Sequence, residues 1–248
     1  MWCPVRTLFC AAFLIAASGN AHAAPITLQN ATATFSQVNL EASDTIDGSF
    51  SDTDNGWGIS AGIPVGPETI VWETTTDINV ASSLSFRMSF LNGHPQSILG
   101  RFRLSYTTDD RNIFADGLQS GGDVTANWNV LNVLTSATAT DGMTLTLHPD
   151  NDGSILAGPS NAPDNSVFDV TFGIVESAIT GFRLEAMEDL SIPASSGPGF
   201  GTNGNFVLVE FEAEADADSV PEPGSVGLLL VGVGGLALAR RRHRKNRT

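Results

Sequence analysis

Between Ala31 and Asp216 the chain is a series of short runs in which apolar and polar residues alternate one for one, separated by Gly, Asn, Asp, Ser and Pro. Leu84, Phe86, Met88 and Phe90 alternate with Ser83, Ser85, Arg87 and Ser89. Phe102, Leu104 and Tyr106 alternate with Arg101, Arg103 and Ser105. Met143, Leu145 and Leu147 alternate with threonines, and Phe168, Val170 and Phe172 with Val167, Asp169 and Thr171. The last run sets Val207, Val209, Phe211, Ala213 and Ala215 against Leu208, Glu210, Glu212, Glu214 and Asp216. Successive side chains of a strand point to opposite faces, so each run predicts a strand with one face in a core. No stretch of this body keeps a helical period. Many half-buried strands at such spacing predict an all-β fold, an antiparallel jelly-roll-like sandwich.

The number of sandwiches is open at this level. Gly100-Arg-Phe-Arg-Leu104 and Gly181-Phe-Arg-Leu184 share Phe-Arg-Leu in strand-like settings. The echo fits two tandem modules, about 26–125 and 126–216 with a seam near Gly121-Gly122, and equally one sandwich over 24–216 with its first and last strands paired.

Both ends of the chain depart from the alternating pattern. Residues 1–23 carry Arg6, an apolar run from Leu8 to Ala17 and a small-x-small site at Ala21-His22-Ala23, which predicts a signal peptide cleaved before Ala24. Thr7-Leu8-Phe9 before Cys10 lacks the small residues of a lipoprotein site. The C-terminal 217–248 has three parts: Val220, Pro221, Glu222 and Pro223; an uncharged run over 224–239; and a basic cluster over 240–247. A helix over the run reaches about 24 Å against a hydrocarbon core of about 30 Å. Its anchoring residues are Gly224, Leu228, Leu229, Leu230, Val231, Leu236 and Leu238. Arg240, Arg241, Arg242, Arg244 and Lys245 would hold the C-terminus on the cytoplasmic side, with the body outside. The expectation is a single C-terminal transmembrane helix.

Val220-Pro-Glu-Pro223, the Gly/Leu/Val helix and the terminal Arg cluster together resemble the PEP-CTERM sorting signal of Gram-negative bacteria. That resemblance implies an inner-membrane-anchored precursor, recognition by an exosortase-type membrane protease, and a mature form at the cell surface or outside, in a setting rich in exopolysaccharide. Two stretches of the body resemble discoidin-type, galactose-binding-like β-sandwich modules. The opening segments are 31–37, Ile46-Asp-Gly48 and Gly56-Trp-Gly-Ile59. The closing segments are 180–187, Gly197-Pro-Gly199 and 203–211. Where the related pattern continues Gly-Pro-Gly with Arg, this chain has Phe200, an apolar ring in place of a hydrogen-bonding cation.

Charge and cysteine content narrow the partners. The body holds five arginines (Arg87, Arg101, Arg103, Arg111, Arg183), no lysine and 26 of the 27 acids, a formal charge of −21. Nucleic acid and anionic lipid are poor partners for such a surface, whereas cations, neutral sugars and proteins suit it. Both cysteines, Cys3 and Cys10, precede Ala24, so the body has neither a disulfide nor a thiol nucleophile.

Candidate chemistry is sparse. Asp52 and Asp54, and separately Asp150 and Asp152, place oxygens at alternate positions near glycines. Neither loop ends in the bidentate Glu of an EF-type site, and Asx-Gly turns account for both. The acid excess and the sandwich resemblance keep Ca²⁺ as a candidate ligand beside that turn reading, and no other cofactor is expected. His94 and His148 lie beside prolines outside any zinc spacing. No nucleophile elbow occurs, and Asp109-Asp110 and Glu188-Asp189 read as solvated turn residues. No catalytic residue is assigned. Trp72 reads as core. Trp57, between Gly56 and Gly58, is the candidate ring for stacking on a sugar.

Overall fold

The structure is a computed structural model that describes residues 23–217 apart from 51–54, 61–64, 80, 92, 94, 160–161, 177, 193–196 and 202. The predicted signal peptide up to His22, the tail from Asp218, Asp52, Asp54 and His94 lie outside the described residues. In chain order the strands are β1 (Ala23–Ile26), β2 (Leu28–Ala33), β3 (Trp57–Gly58), β4 (Glu68–Ile78), β5 (Ala81–Phe90), β6 (Arg101–Thr107) and β7 (Asn129–Val130). They continue as β8 (Leu134–Ala139), β9 (Thr144–Leu147), β10 (Ile155–Gly158), β11 (Ser166–Glu176), β12 (Ile179–Met187), β13 (Val207–Leu208) and β14 (Glu210–Ala217). Among the described residues helix is confined to two 3-10 turns, Ala42–Ile46 and Arg111–Ile113. Among the described residues no helix is long and apolar enough to cross a membrane.

The strands form two main antiparallel sheets. A five-stranded sheet runs β1-β14-β5-β11-β8, and a seven-stranded sheet runs β2-β4-β12-β6-β10-β9 with β7 paired to β6. A two-stranded sheet joins β13 to β3. The predicted alternation places the core. Leu84, Phe86, Met88 and Phe90 of β5, Phe168, Val170 and Phe172 of β11, and Phe211 of β14 are buried against Ile70, Trp72, Phe102, Leu104, Phe182 and Leu184 of the opposite sheet. Rings bridge the layers: Trp72 stacks on Phe211 at 3.9 Å, and Phe86 meets the edge of Phe182 at 5.1 Å. Such pairs add about 0.5–1.5 kcal/mol each beyond the area they bury.

The body is one sandwich. The first strand, β1, pairs with the last, β14, and β12 lies between β4 and β6. The Phe-Arg-Leu echo is two neighbouring strands, with Leu184 opposite Leu104. The proposed seam folds onto β2: Gly121 and Gly122 donate their N–H groups to the Thr34 and Ala33 carbonyls at 2.7 and 3.0 Å. Strands from both halves thus share each sheet, which overturns the tandem alternative.

The two sheets differ on their outer faces. Residues 108–133 cross the outside of the seven-stranded sheet, where Phe114 and Ala115 bury Val71 with help from Val124, Ala126 and Trp128. Gly181 permits this contact, since a Cβ there would fall 2.6 Å from the Phe114 ring. The outer face of the five-stranded sheet carries Ser85, Arg87, Asp169, Thr171, Glu212 and Glu214, all exposed or half-exposed.

Candidate functional site

The end of the sandwich that carries Trp57 and Phe200 is packed. Trp57 is fully buried, its ring edge-on to Phe206 at 5.1 Å and its indole N–H donated to the Phe35 carbonyl at 2.9 Å. It presents no face to a sugar, which corrects the stacking expectation. The flanking glycines explain the misreading. Gly56 has φ 109°, and a Cβ there would lie 2.5 Å from the Leu208 carbonyl oxygen. The glycines therefore let β3 close on β13 and do not mark an exposed loop. Phe200 is buried as well, with its N–H donated to the Ile98 carbonyl at 2.8 Å. A Cβ on Gly199 would fall 2.2 Å from the Asn205 carbonyl oxygen, so this loop is set by backbone crossing. Trp72 is core, its N–H donated to Thr45 Oγ1 at 2.9 Å.

A charged cluster forms where β6 begins. Arg101, only 10% exposed at its side chain, donates to Ser154 Oγ at 3.0 Å, Asp152 at 2.9 Å, Asp150 at 3.2 Å and Asp189 at 3.4 Å. His148 lies between two of these acids, Nε2 2.9 Å from Asp189 and Nδ1 3.3 Å from Asp150. Arg103 continues the network through a two-point bond to Glu185 at 2.7 and 3.0 Å. Burial works against ionisation of Asp152, yet hydrogen bonds from the Ser154 hydroxyl and N–H and the charges of Arg101 and Arg103 outweigh it and hold the carboxyl down at about 2. Asp189 is lowered in the same way, burial being outweighed by Ser191, His148 and Arg101.

This network settles several expectations. The oxygens of Asp150 and Asp152 are engaged by arginine, which removes the reason to place Ca²⁺ between them. Asp189, read as a solvated turn residue, is 10% exposed and an anchor of the cluster. Arg183 lies 5.2 Å from the Trp128 ring centroid and 2.9 Å from Glu185; burial lowers its pKa, with Glu185 opposing and Arg103 reinforcing. Each acid of the cluster has a cationic or hydroxyl partner, and the arrangement ties loops together.

A second feature was not anticipated. Glu210, at the start of β14, is 5% exposed, and its Oε2 has no hydrogen-bond partner. The carboxyl accepts from the Gly48 N–H and lies near the Asp47 carboxylate, at the end of the 3-10 turn Ala42–Ile46. Burial first, then the charges of Asp47 and Glu212, push Glu210 up to about 7. Ca²⁺ needs six to eight oxygens, and among the described residues no group of three or more His, Cys, Asp or Glu is placed to hold a metal. Strict alternation had assigned Glu210 to solvent, but Val207, Leu208, Val209 and Glu210 are all buried because β13 and the Ala42–Ile46 turn close over this end.

A shallow groove lies on the open face of the five-stranded sheet, lined by Ser85, Arg87, Asp169, Thr171, Glu212 and Glu214. Arg87 holds Asp169 through two bonds, at 2.8 and 3.3 Å. The Arg87 guanidinium is raised by that hydrogen bond and charge, and further by Glu212 and Glu214.

No curated protein sequence matches the chain. Among solved structures it is similar to chitosan-binding module 1 of a chitosanase/glucanase from Paenibacillus sp. IK-5, at 14% identity and TM-score 0.42, over 76% of this chain and 95% of that one. It is similar to the family 32 carbohydrate-binding module of C. perfringens NanJ in complex with galactose, at 12% identity and TM-score 0.40, over 78% and 99%. A third similar chain comes from reduced XRCC1 bound to the DNA polymerase beta catalytic domain, at 9% identity and TM-score 0.43, over 78% and 100%. At these identities the likeness concerns the fold alone. Residues 219–245 match the PEP-CTERM protein-sorting motif, so this chain carries the sorting signal of exported proteins handled by an exosortase in Gram-negative bacteria.

Proposed function

We propose that this chain is a non-catalytic β-sandwich of the cell envelope or extracellular matrix, inserted as a membrane-anchored precursor, processed by an exosortase-type protease and then associated with exopolysaccharide. The sorting motif at 219–245 is the observation that carries the reading. The saturated Arg101 cluster supports a non-catalytic role. With Trp57 in the core, the surface suited to a neutral glycan is the groove on the open sheet face, where Ser85, Thr171, Arg87, Asp169, Glu212 and Glu214 offer donors and acceptors to sugar hydroxyls.

The test is co-sedimentation of the secreted protein with exopolysaccharide from an exosortase-bearing host. Binding that is lost in Arg87→Ala, with the fold intact by circular dichroism, supports the groove. Recovery of the protein in the matrix without sedimentation on the purified polysaccharide favours a second reading, a structural matrix component with no small ligand. The burial of Trp57 and Phe200 speaks for that reading, since it leaves the loop end without a concave aromatic site.

A further inference from the structure

The groove on the five-stranded sheet is part of a larger ordered surface, because strand pairing aligns the outward side chains into rows that cross the strands. Glu214 of β14 stands opposite Ser85 of β5, Ser85 opposite Thr171 of β11, and Thr171 opposite Ser136 of β8. Two residues along each strand, Glu212, Arg87, Asp169 and Thr138 form a second row by the same pairings. All are exposed or half-exposed. Neighbouring strands lie about 4.8 Å apart, so each row reaches about 14 Å from β14 to β8, and the two rows run about 7 Å apart.

Both rows mix donors with acceptors. The Ser85 and Thr171 hydroxyls are 3.0 Å apart, Arg87 holds Asp169, and Ser136 and Thr138 present exposed hydroxyls at the far end. Neither row contains an apolar or aromatic side chain, so the surface lacks the anchors on which protein partners dock. Three carboxylates against one guanidinium repel nucleic acid and anionic lipid. A molecule with hydroxyls along its whole length matches what remains. The groove is shallow, and a single sugar ring resting on it meets only a few of these side chains. Each such contact replaces a bond to water and gains little alone, whereas the freedom lost on association is lost once for the whole ligand. Several rings in line, following a row, add contacts without adding that loss.

We infer that the ligand of this face is the interior of an extended, linear polysaccharide chain, lying across the strands from β14 to β8, with Ser136 and Thr138 as binding residues beyond the groove. This arrangement depends on the proposed association with exopolysaccharide, and it uses neither chain end.

The test takes the secreted protein and the host exopolysaccharide, part of which is cut by mild acid into fragments, sorted by size and used as competitors in co-sedimentation. Competition should strengthen at least about tenfold from disaccharides to fragments that span about 14 Å, and then level off. Reducing the terminal sugar of each fragment to its alditol should change nothing. The double variant Ser136→Ala and Thr138→Ala, with its fold checked by circular dichroism, should bind the spanning fragments about fivefold more weakly. Disaccharides, which can rest on the β14 and β5 half of the rows, should compete as before. Competition that is independent of length, that needs an intact reducing end, or that keeps its length profile in the double variant overturns the inference while the glycan reading of the groove stands. An intact polymer that does not sediment the protein, or does so equally with Arg87→Ala, overturns both.

Discussion

Arg101 and Arg87 lie on the outer faces of opposite sheets, each beside carboxylates, and only one of them is built into the structure. The Arg101 side chain is 10% exposed and reaches three acids and a hydroxyl from loops 49 to 88 residues away in sequence. Arg87 is 55% exposed and holds a single partner, Asp169, itself 42% exposed. The covered face uses its charges to tie loops down, where solvent cannot replace a lost partner. The open face leaves its charges hydrated and free to exchange a protein partner for a ligand.

The largest effect should come from the packed end. Trp57→Ala should cost about 3–5 kcal/mol in urea unfolding, as loss of a buried aromatic does, whereas an exposed ring would cost almost nothing. Arg101→Met comes next, at about 3 kcal/mol, because it leaves Asp189 and the partly buried Asp152 beside an apolar side chain. The loss should persist at high salt. A cost below about 1 kcal/mol would erase the distinction between the two faces.

The same cluster sets acid sensitivity. Asp152 is held at about 2 in the folded chain, below its ordinary 3.8, so the stability it contributes is present above about pH 4 and lost as pH falls toward 2. Arg101→Met should reduce that acid dependence without abolishing it, because the Ser154 hydrogen bonds and the charge of Arg103 remain.

Glu210 works in the opposite sense and on a smaller scale. Its folded value of about 7 exceeds the ordinary 4.5, so the folded state holds the extra proton between these values. Stability should be greatest below about pH 4.5 and fall as pH rises to 7, by about 1–2 kcal/mol after allowance for screening. Glu210→Gln should remove that slope. A Ca²⁺-dependent rise in the midpoint above pH 7, absent from Glu210→Gln, would instead show a cation taking the place of the proton. The smallest effect belongs to Arg87→Ala, about 0.5 kcal/mol and abolished by salt.

The sandwich was legible because its runs are periodic. Leu84 to Phe90 and Phe168 to Phe172 alternate cleanly and became paired strands facing the core. Where both faces of a strand are covered the pattern says less. Arg101 and Ser105 look outward by alternation yet are buried, because residues 108–133 and the 148–154 loop lie over them. Neither covering segment has a period of its own. Trp57 was misread because glycines mark loops and close strand contacts alike, and the Leu208 carbonyl that decides between them is about 150 residues away in sequence. Glu210 needed Asp47 beside it, a pairing across the whole body that no local signal records.

The central claim is that the tail is a processing signal, and the most direct measurement is the intact mass of the mature protein from a host with and without the sorting enzyme. The account predicts that with the enzyme the protein loses the residues beyond the Val220-Pro-Glu-Pro223 region, including Arg240 to Arg247. Replacing Pro221, Glu222 and Pro223 by alanine should leave it membrane-bound and full length, since the insertion energy lies in the apolar run and the orientation in the arginines. A mature protein that keeps its Arg-rich C-terminus in both hosts, with the alanine variant indistinguishable from it, would contradict the account.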